Sequence, residues 1–161
     1  GHETTTAQIN NTLLHWLEQR EQWETLCANP ALIPQALDES LRYDPSVCTW
    51  RRLARKTISV NGVEIPEGSN LLLMLNSANR DDELFPEPDV IDIHRENGKD
   101  HLAFGYGIHY CVGAPLARLE MGILLEQLTQ RMPNLRLVPD QTIEYVPNIS
   151  FRGAIRLDVE W

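Results

Sequence analysis

Cysteine is scarce in this chain: Cys27, Cys48 and Cys111 are the only three, scattered without paired spacing. That leaves no disulfide framework and points to a reducing, cytoplasmic setting. Positive charge is short as well. Against 23 Asp and Glu stand 14 Lys and Arg, a net charge of -9, which argues against general nucleic-acid binding. No apolar run reaches the roughly 18 residues of a membrane span, and no secretory signal opens the chain. Internal repeats, low-complexity tracts and a starting methionine are also missing. The first residues read as the inside of a helix, so these 161 residues are expected to be one domain or a piece of a larger one.

What is present suffices for a core, since 42% of the residues are hydrophobic. Residues 1–17 read as one helix, 18–27 as a more polar second, and 31–43 as a third, with Asn29-Pro30 as the break and Pro34 in a first turn. Asp44-Pro45 ends the third. Residues 57–60 alternate as a strand, Asn61-Gly62 is a hairpin turn signal, and 63–66 follow as its partner. Leu71 to Leu75 reads as a buried strand, and residues 51–56 as a basic, solvated loop. From Ala114 to Met132, Leu116, Leu119, Ile123, Leu124 and Leu128 recur at helical spacing. Residues 134–161 read as strands and turns. The expected class is mainly α with a small β-sheet region.

Chemistry concentrates in residues 104–113, F-G-Y-G-I-H-Y-C-V-G. They place Cys111 at the end of a glycine-punctuated loop and just before the long helix. Free backbone N–H groups and the helix dipole at such a terminus favour a thiolate, the form that binds metals. Gly105, Gly107 and Gly113 let the backbone approach whatever the sulfur holds. Alone, without its flanks, Cys111 reads first as a small buried hydrophobe. Another reading is a zinc site of His101, His109 and Cys111, but structural zinc wants four ligands in paired spacings, and no second Cys or His pair is near.

The flanks decide. Phe104-Gly105-x-Gly107-x-His109-x-Cys111-x-Gly113 resembles the haem-binding loop of the cytochrome P-450 family, the haem-thiolate monooxygenases. Other stretches resemble the family in the same order. Gly1-His2-Glu3-Thr4 is similar to its oxygen-binding helix, and Glu39-Ser40-Leu41-Arg42 to its E-x-x-R helix. The resemblance implies that residues 1–161 are the C-terminal part of the fold: oxygen-binding helix, E-x-x-R helix, meander, Cys loop and following helix, with the N-terminal part absent.

It also implies roles. Cys111 becomes the axial ligand of a haem b (iron protoporphyrin IX), with Arg52, Phe104, Gly105, His109 and Gly113 as further haem contacts; Arg52 and His109 face its propionates. Glu3 and Thr4 become the catalytic pair that delivers protons over the distal face. Glu39, Arg42 and Arg95 form a buried structural triad. Val47, Cys48, Trp50 and Ile149 line the substrate pocket, and Arg118 lies on the surface that docks an electron donor of ferredoxin or flavodoxin type. The activity implied is activation of O2 at the Cys111-ligated iron and insertion of one oxygen atom into a small organic substrate. Alternatives are a truncated, non-catalytic haem-binding or structural fragment, and a peroxide-driven peroxygenase, against which the Glu3-Thr4 pair counts.

Overall fold

The computed structural model describes residues 2–161. Three helices open it: α1 (His2–Glu18), α2 (Arg20–Ala28) and α3 (Ile33–Tyr43), with a 3-10 turn at Pro30–Leu32 between the last two. Strands β1 (Thr49–Leu53), β2 (Ile58–Val60), β3 (Val63–Ile65) and β4 (Asn70–Met74) follow, then the single turn of α4 (Leu75–Ala78). An irregular stretch leads to α5 (Ala114–Arg131), and the short β5 (Arg136–Leu137) and β6 (Val159–Glu160) close the chain. The class is mainly α with small antiparallel pairs: β1 with β4, β2 with β3, β5 with β6. At the β2–β3 turn Asn61 and Gly62 both take positive φ, +48° and +81°, as a two-residue hairpin loop of this twist requires. No helix among the described residues is long and apolar enough to cross a membrane.

The core lies where α1, α2, α3 and α5 meet. In α3 the buried Ile33, Ala36, Leu37, Ser40 and Leu41 recur at steps of three and four, the period of one helix face. The four apolar ones pack with Trp16 of α1, Trp23 and Leu26 of α2, and Met121 and Leu125 of α5. Trp23 is fully buried, and its indole N–H donates to the Pro133 carbonyl at 3.0 Å.

Three expectations need correction. Of the stretch 71–75, residues 71–74 lie in β4 but not as a buried strand: Leu72, Leu73 and Met74 are exposed although successive side chains point to opposite faces, because this two-stranded sheet leaves both faces open at these positions. Only Leu75, where α4 begins, is buried. In α5 the buried face is Ala114, Met121, Leu125 and Thr129, while Leu116, Leu119 and Ile123 are 59%, 58% and 50% exposed. This helix is apolar on more than one side, and α3 covers only one of them. The basic residues Arg51 and Arg52 lie within β1, paired to Leu72 and Leu71, rather than in a loop.

One buried carboxylate organises the irregular stretch. Glu39 and Arg42 have no exposed side-chain surface. Arg42 Nε donates to Glu39 Oε2 at 2.7 Å and Nη2 to Oε1 at 2.8 Å. Its remaining donors go to the carbonyls of Asn79, Pro88 and Val90, so all five guanidinium N–H groups are used. Arg95 reaches the same Glu39 Oε1 at 3.1 Å and caps the carbonyls of Pro86, Glu87 and Val90. Glu39 Oε1 also accepts the Asp92 backbone N–H at 3.0 Å. A segment without ladder hydrogen bonds thereby has several of its carbonyls satisfied by two arginines, both ion-paired to one acid. Gly98 completes the docking: a Cβ there would lie 3.3 Å from the Glu39 backbone nitrogen.

Two stability predictions follow from this packing. Glu39→Ala leaves two guanidinium groups uncompensated, one of them fully buried, and should cost about 3–5 kcal/mol in urea unfolding. At Gly153 an added Cβ would sit 2.5 Å from Ala7 Cβ and 3.1 Å from Ala7 Cα, so Gly153→Ala pushes the last turn off α1. Its cost should be about 1–3 kcal/mol; an unchanged unfolding midpoint would refute the contact.

Candidate haem-thiolate site

The cysteine loop is built from short backbone bonds. Gly105 N–H donates to the Leu102 carbonyl at 2.8 Å and Tyr110 N–H to Gly107 at 3.0 Å. Cys111 N–H then closes the loop onto the Phe104 carbonyl at 2.8 Å. Gly105 takes φ +74° and Gly107 φ +63°, which side chains disfavour; at Gly105 a Cβ would also meet the His109 carbonyl oxygen at 3.2 Å. Directly after the loop α5 begins, with Ala114 N–H on the Cys111 carbonyl at 3.2 Å and Pro115 in the first turn, where its missing N–H costs nothing.

Cys111 is exposed, and it opens on a cavity of about 520 Å³ between the loop and α1. Thr4, Thr5 and Gln8 supply the α1 side. Phe104, Gly105, His109 and Gly113 belong to the loop side, with Ala117 and Met121 of α5 behind them. Val47, Trp50 and Phe151 form a third wall, where Trp50 and Phe151 meet edge to face at 5.9 Å between ring centroids. Around the sulfur Ile108 and Val112 are 98% and 99% exposed.

The donor set fits one kind of metal centre. Among the described residues no group of three His, Cys, Asp or Glu could hold a metal ion. In the zinc reading His101 and His109 would join Cys111, but His101 is buried, its Nδ1 accepts the Ala103 N–H at 3.1 Å, and its Nε2 lies 3.6 Å from Asp38 Oδ1 and 3.4 Å from Arg118 Nη2. A lone sulfur suits a metal that brings its own equatorial ligands, and an apolar, aromatic-walled cavity suits a flat macrocycle around it. The residues fit a haem.

The expected site residues separate into those the fold brings together and those it does not. Thr4, Val47, Trp50, Phe104, Gly105, His109, Cys111 and Gly113 all line the one cavity. Glu3 is exposed in the first turn of α1, outside the cavity wall. Arg52 is half-buried on β1 and donates to its neighbour's carbonyl, that of Arg51, at 2.8 Å. Cys48 is buried against the Pro45 carbonyl at 3.6 Å, and Ile149 is exposed. Phe151 stands where Ile149 was expected. The chain bends at Ile149 and Ser150, where Asn148 Oδ1 accepts the Ser150 and Phe151 N–H groups, and the antiparallel bridge Val47↔Phe151 sets the later residue against the cavity. Gln8 was missed although it lies one helical turn beyond Thr4. Both ends of its amide are engaged: Nε2 donates to the Asp44 carbonyl at 3.3 Å, and Oε1 accepts the Ser46 N–H at 2.8 Å.

A sequence profile of cytochrome P450 matches residues 1–145. The chain belongs to the cytochrome P450 family. Nocardicin C N-oxygenase of Nocardia uniformis subsp. tsuyamanensis is 41% identical over 164 residues, covering 100% of this chain and 41% of that protein. The biotin biosynthesis cytochrome P450 of Bacillus subtilis is 43% identical over 159 residues, covering 99% of this chain and 40% of its own length. Among solved structures, an intact type IV self-sufficient cytochrome P450 monooxygenase superposes with a TM-score of 0.97 at 50% identity, covering all of this chain and 21% of that one. The chain spans about two fifths of the length of these curated relatives.

In this P450 chain Arg118, expected as a docking charge on an outer surface, is already neutralised. Its Nη2 and Nε donate to Asp38 Oδ1 at 2.8 and 3.1 Å. Burial would raise the Asp38 carboxyl, but its contacts with His101 and Arg118 outweigh that and hold it below the ordinary value. A carboxyl depressed by folding contributes stability that is full above the unfolded value, about 3.9, and is lost as pH falls through the lower folded value. Asp38→Asn should therefore lower stability at pH 7 by about 1 kcal/mol, the upper end for a partly exposed pair. As pH falls through the lowered folded value the gap between variant and parent should close; a gap that persists in acid would show that the loss is not carried by the ionised carboxylate.

Proposed function

We propose that this chain is the C-terminal portion of a haem-dependent monooxygenase that inserts one oxygen atom of O2 into a small organic substrate. The observation that carries this reading is the placement of Cys111 and Thr4 on one cavity: the only cysteine open to that space and a hydroxyl of α1 line it together. Cys111 would hold the iron of haem b, and His109, the one basic side chain in the wall, would face a propionate. When bound, a thiolate-ligated haem supplies the activation of O2 and the cleavage of its O–O bond.

The chain's own residues do the rest. The apolar walls of Trp50, Phe151, Val47 and Met121 exclude water and orient an organic substrate. The Thr4 hydroxyl, within the wall, can pass a proton across the cavity, with the exposed Glu3 carboxylate next to it in sequence as the link to solvent. Gln8 keeps the wall rigid by tying α1 to the backbone of Asp44 and Ser46. Electrons would come from a ferredoxin- or flavodoxin-type donor in the cytoplasm. The Leu116–Leu119–Ile123 face of α5 supports the view that these residues work as part of a larger haem domain, since an apolar stripe of this kind is normally covered.

The deciding experiment is spectroscopic. The chain is loaded with haem, reduced and exposed to carbon monoxide beside a Cys111→Ala variant. A strongly red-shifted Soret band that the variant loses is the expected result. A band indifferent to Cys111, or no haem uptake, would remove catalysis by this chain from the reading.

A further inference from the structure

Behind the cysteine loop lies an ion cluster that the monooxygenase reading does not use. Asp38 precedes Glu39 on α3 and therefore projects about 100° away round the helix axis. While Glu39 gathers Arg42 and Arg95, Asp38 gathers Arg118 from α5 and faces the buried His101. The Arg118 guanidinium lies over the Phe104 ring, 4.6 Å from its centroid, and Nη1 donates to the Tyr110 hydroxyl at 3.3 Å. The rings of Phe104 and Tyr110 meet at 6.3 Å. These two residues bracket the sulfur's backbone: Phe104 gives the carbonyl that holds the Cys111 N–H, and Tyr110 is the residue before Cys111. A planar, forked cation can stack and bond in two directions at once, which an ammonium cannot.

We propose that Asp38 and Arg118 are positioning residues for Cys111. Asp38 orients the guanidinium, and the guanidinium clamps Phe104 and Tyr110 so that the sulfur faces the cavity with a balanced charge pair behind it. The inference rests on Cys111 as the iron ligand, so its test has one arm that needs haem and one that does not.

In the haem-free arm, amide hydrogen exchange is followed in the full chain. Arg118→Gln and Asp38→Asn should each speed exchange in residues 103–113 by about tenfold or more, while α2 and the β2–β3 hairpin stay at the parent rate. Arg118→Lys should behave like Arg118→Gln here, because it loses the fork and the stack. No change, or an equal rise everywhere, would overturn the clamp.

In the haem-loaded arm, the midpoint potential of the iron is measured. Asp38→Asn leaves an unbalanced cation behind the sulfur and should favour reduction, Arg118→Gln leaves an unbalanced anion and should disfavour it, and the double variant should return near the parent. Arg118→Lys keeps the charge and should also stay near the parent. Shifts of one sign, or none, would overturn the charge balance. If the parent takes up no haem, the monooxygenase reading falls while the exchange arm still decides the clamp.

Discussion

The structure depends on one buried carboxylate. Glu39 sits in α3 with no exposed surface, and everything between β4 and α5 is arranged around it. That segment, residues 79–113, has no strand and only isolated 3-10 turns, so it cannot satisfy its own backbone by ladders. Arg42 and Arg95 supply the missing donors, and Glu39 supplies the charge that lets two guanidinium groups be buried near each other. Taken alone, such an ion cluster is weak evidence for stability, since desolvation offsets most of its Coulomb gain. Its value here is geometric. An apolar replacement could fill the same volume, but it could not fix the carbonyls of Pro86, Glu87, Pro88 and Val90 in one arrangement.

That arrangement delivers the cysteine loop. Asn79, buried where α4 ends, donates to the Leu41 carbonyl of α3 and accepts the Leu102 N–H at 2.7 Å. The chain entering the loop is thus fixed to the same helix that carries Glu39. On the far side α5 packs across α3 through Met121 and Leu125. The loop is held at both ends by one helix, and its interior glycines make the turn that brings Cys111 N–H back to Phe104. Precision at the sulfur comes from the ion cluster and backbone bonds behind the cavity wall as much as from the wall itself.

Local signals in the sequence were sufficient for this part of the molecule. The glycine pattern around Cys111, the E-x-x-R pair and the Asn61-Gly62 turn each depend on residues within a few positions of one another, and each lies in the structure as read. What was not legible depends on distant pairing. Phe151 rather than Ile149 enters the cavity because of a bridge to Val47, about a hundred residues away in the chain, and no local rule encodes that register. Arg52 projects from a strand whose facing depends on its pairing with β4, and Leu72 and Leu73 were read as core because apolar runs do not reveal how many layers cover them. The same holds for α5, where the stripe easiest to see in sequence is the uncovered one.

The three cysteines show how environment separates identical side chains. Burial pushes the Cys48 thiol up, the nearby Asp44 pushes the same way, and Arg152 offsets only part of it. Cys27 is raised chiefly by burial too, with Glu24 adding to it and Arg20 opposing. A raised thiol stays protonated at neutral pH and is a poor ligand and nucleophile. Only Cys111 opens to the cavity, at the start of an 18-residue helix, with its N–H already bound so that the backbone cannot turn away. Of the three, it alone combines access, a fixed direction and a helix terminus, so a soft metal entering this cavity has one sulfur to find.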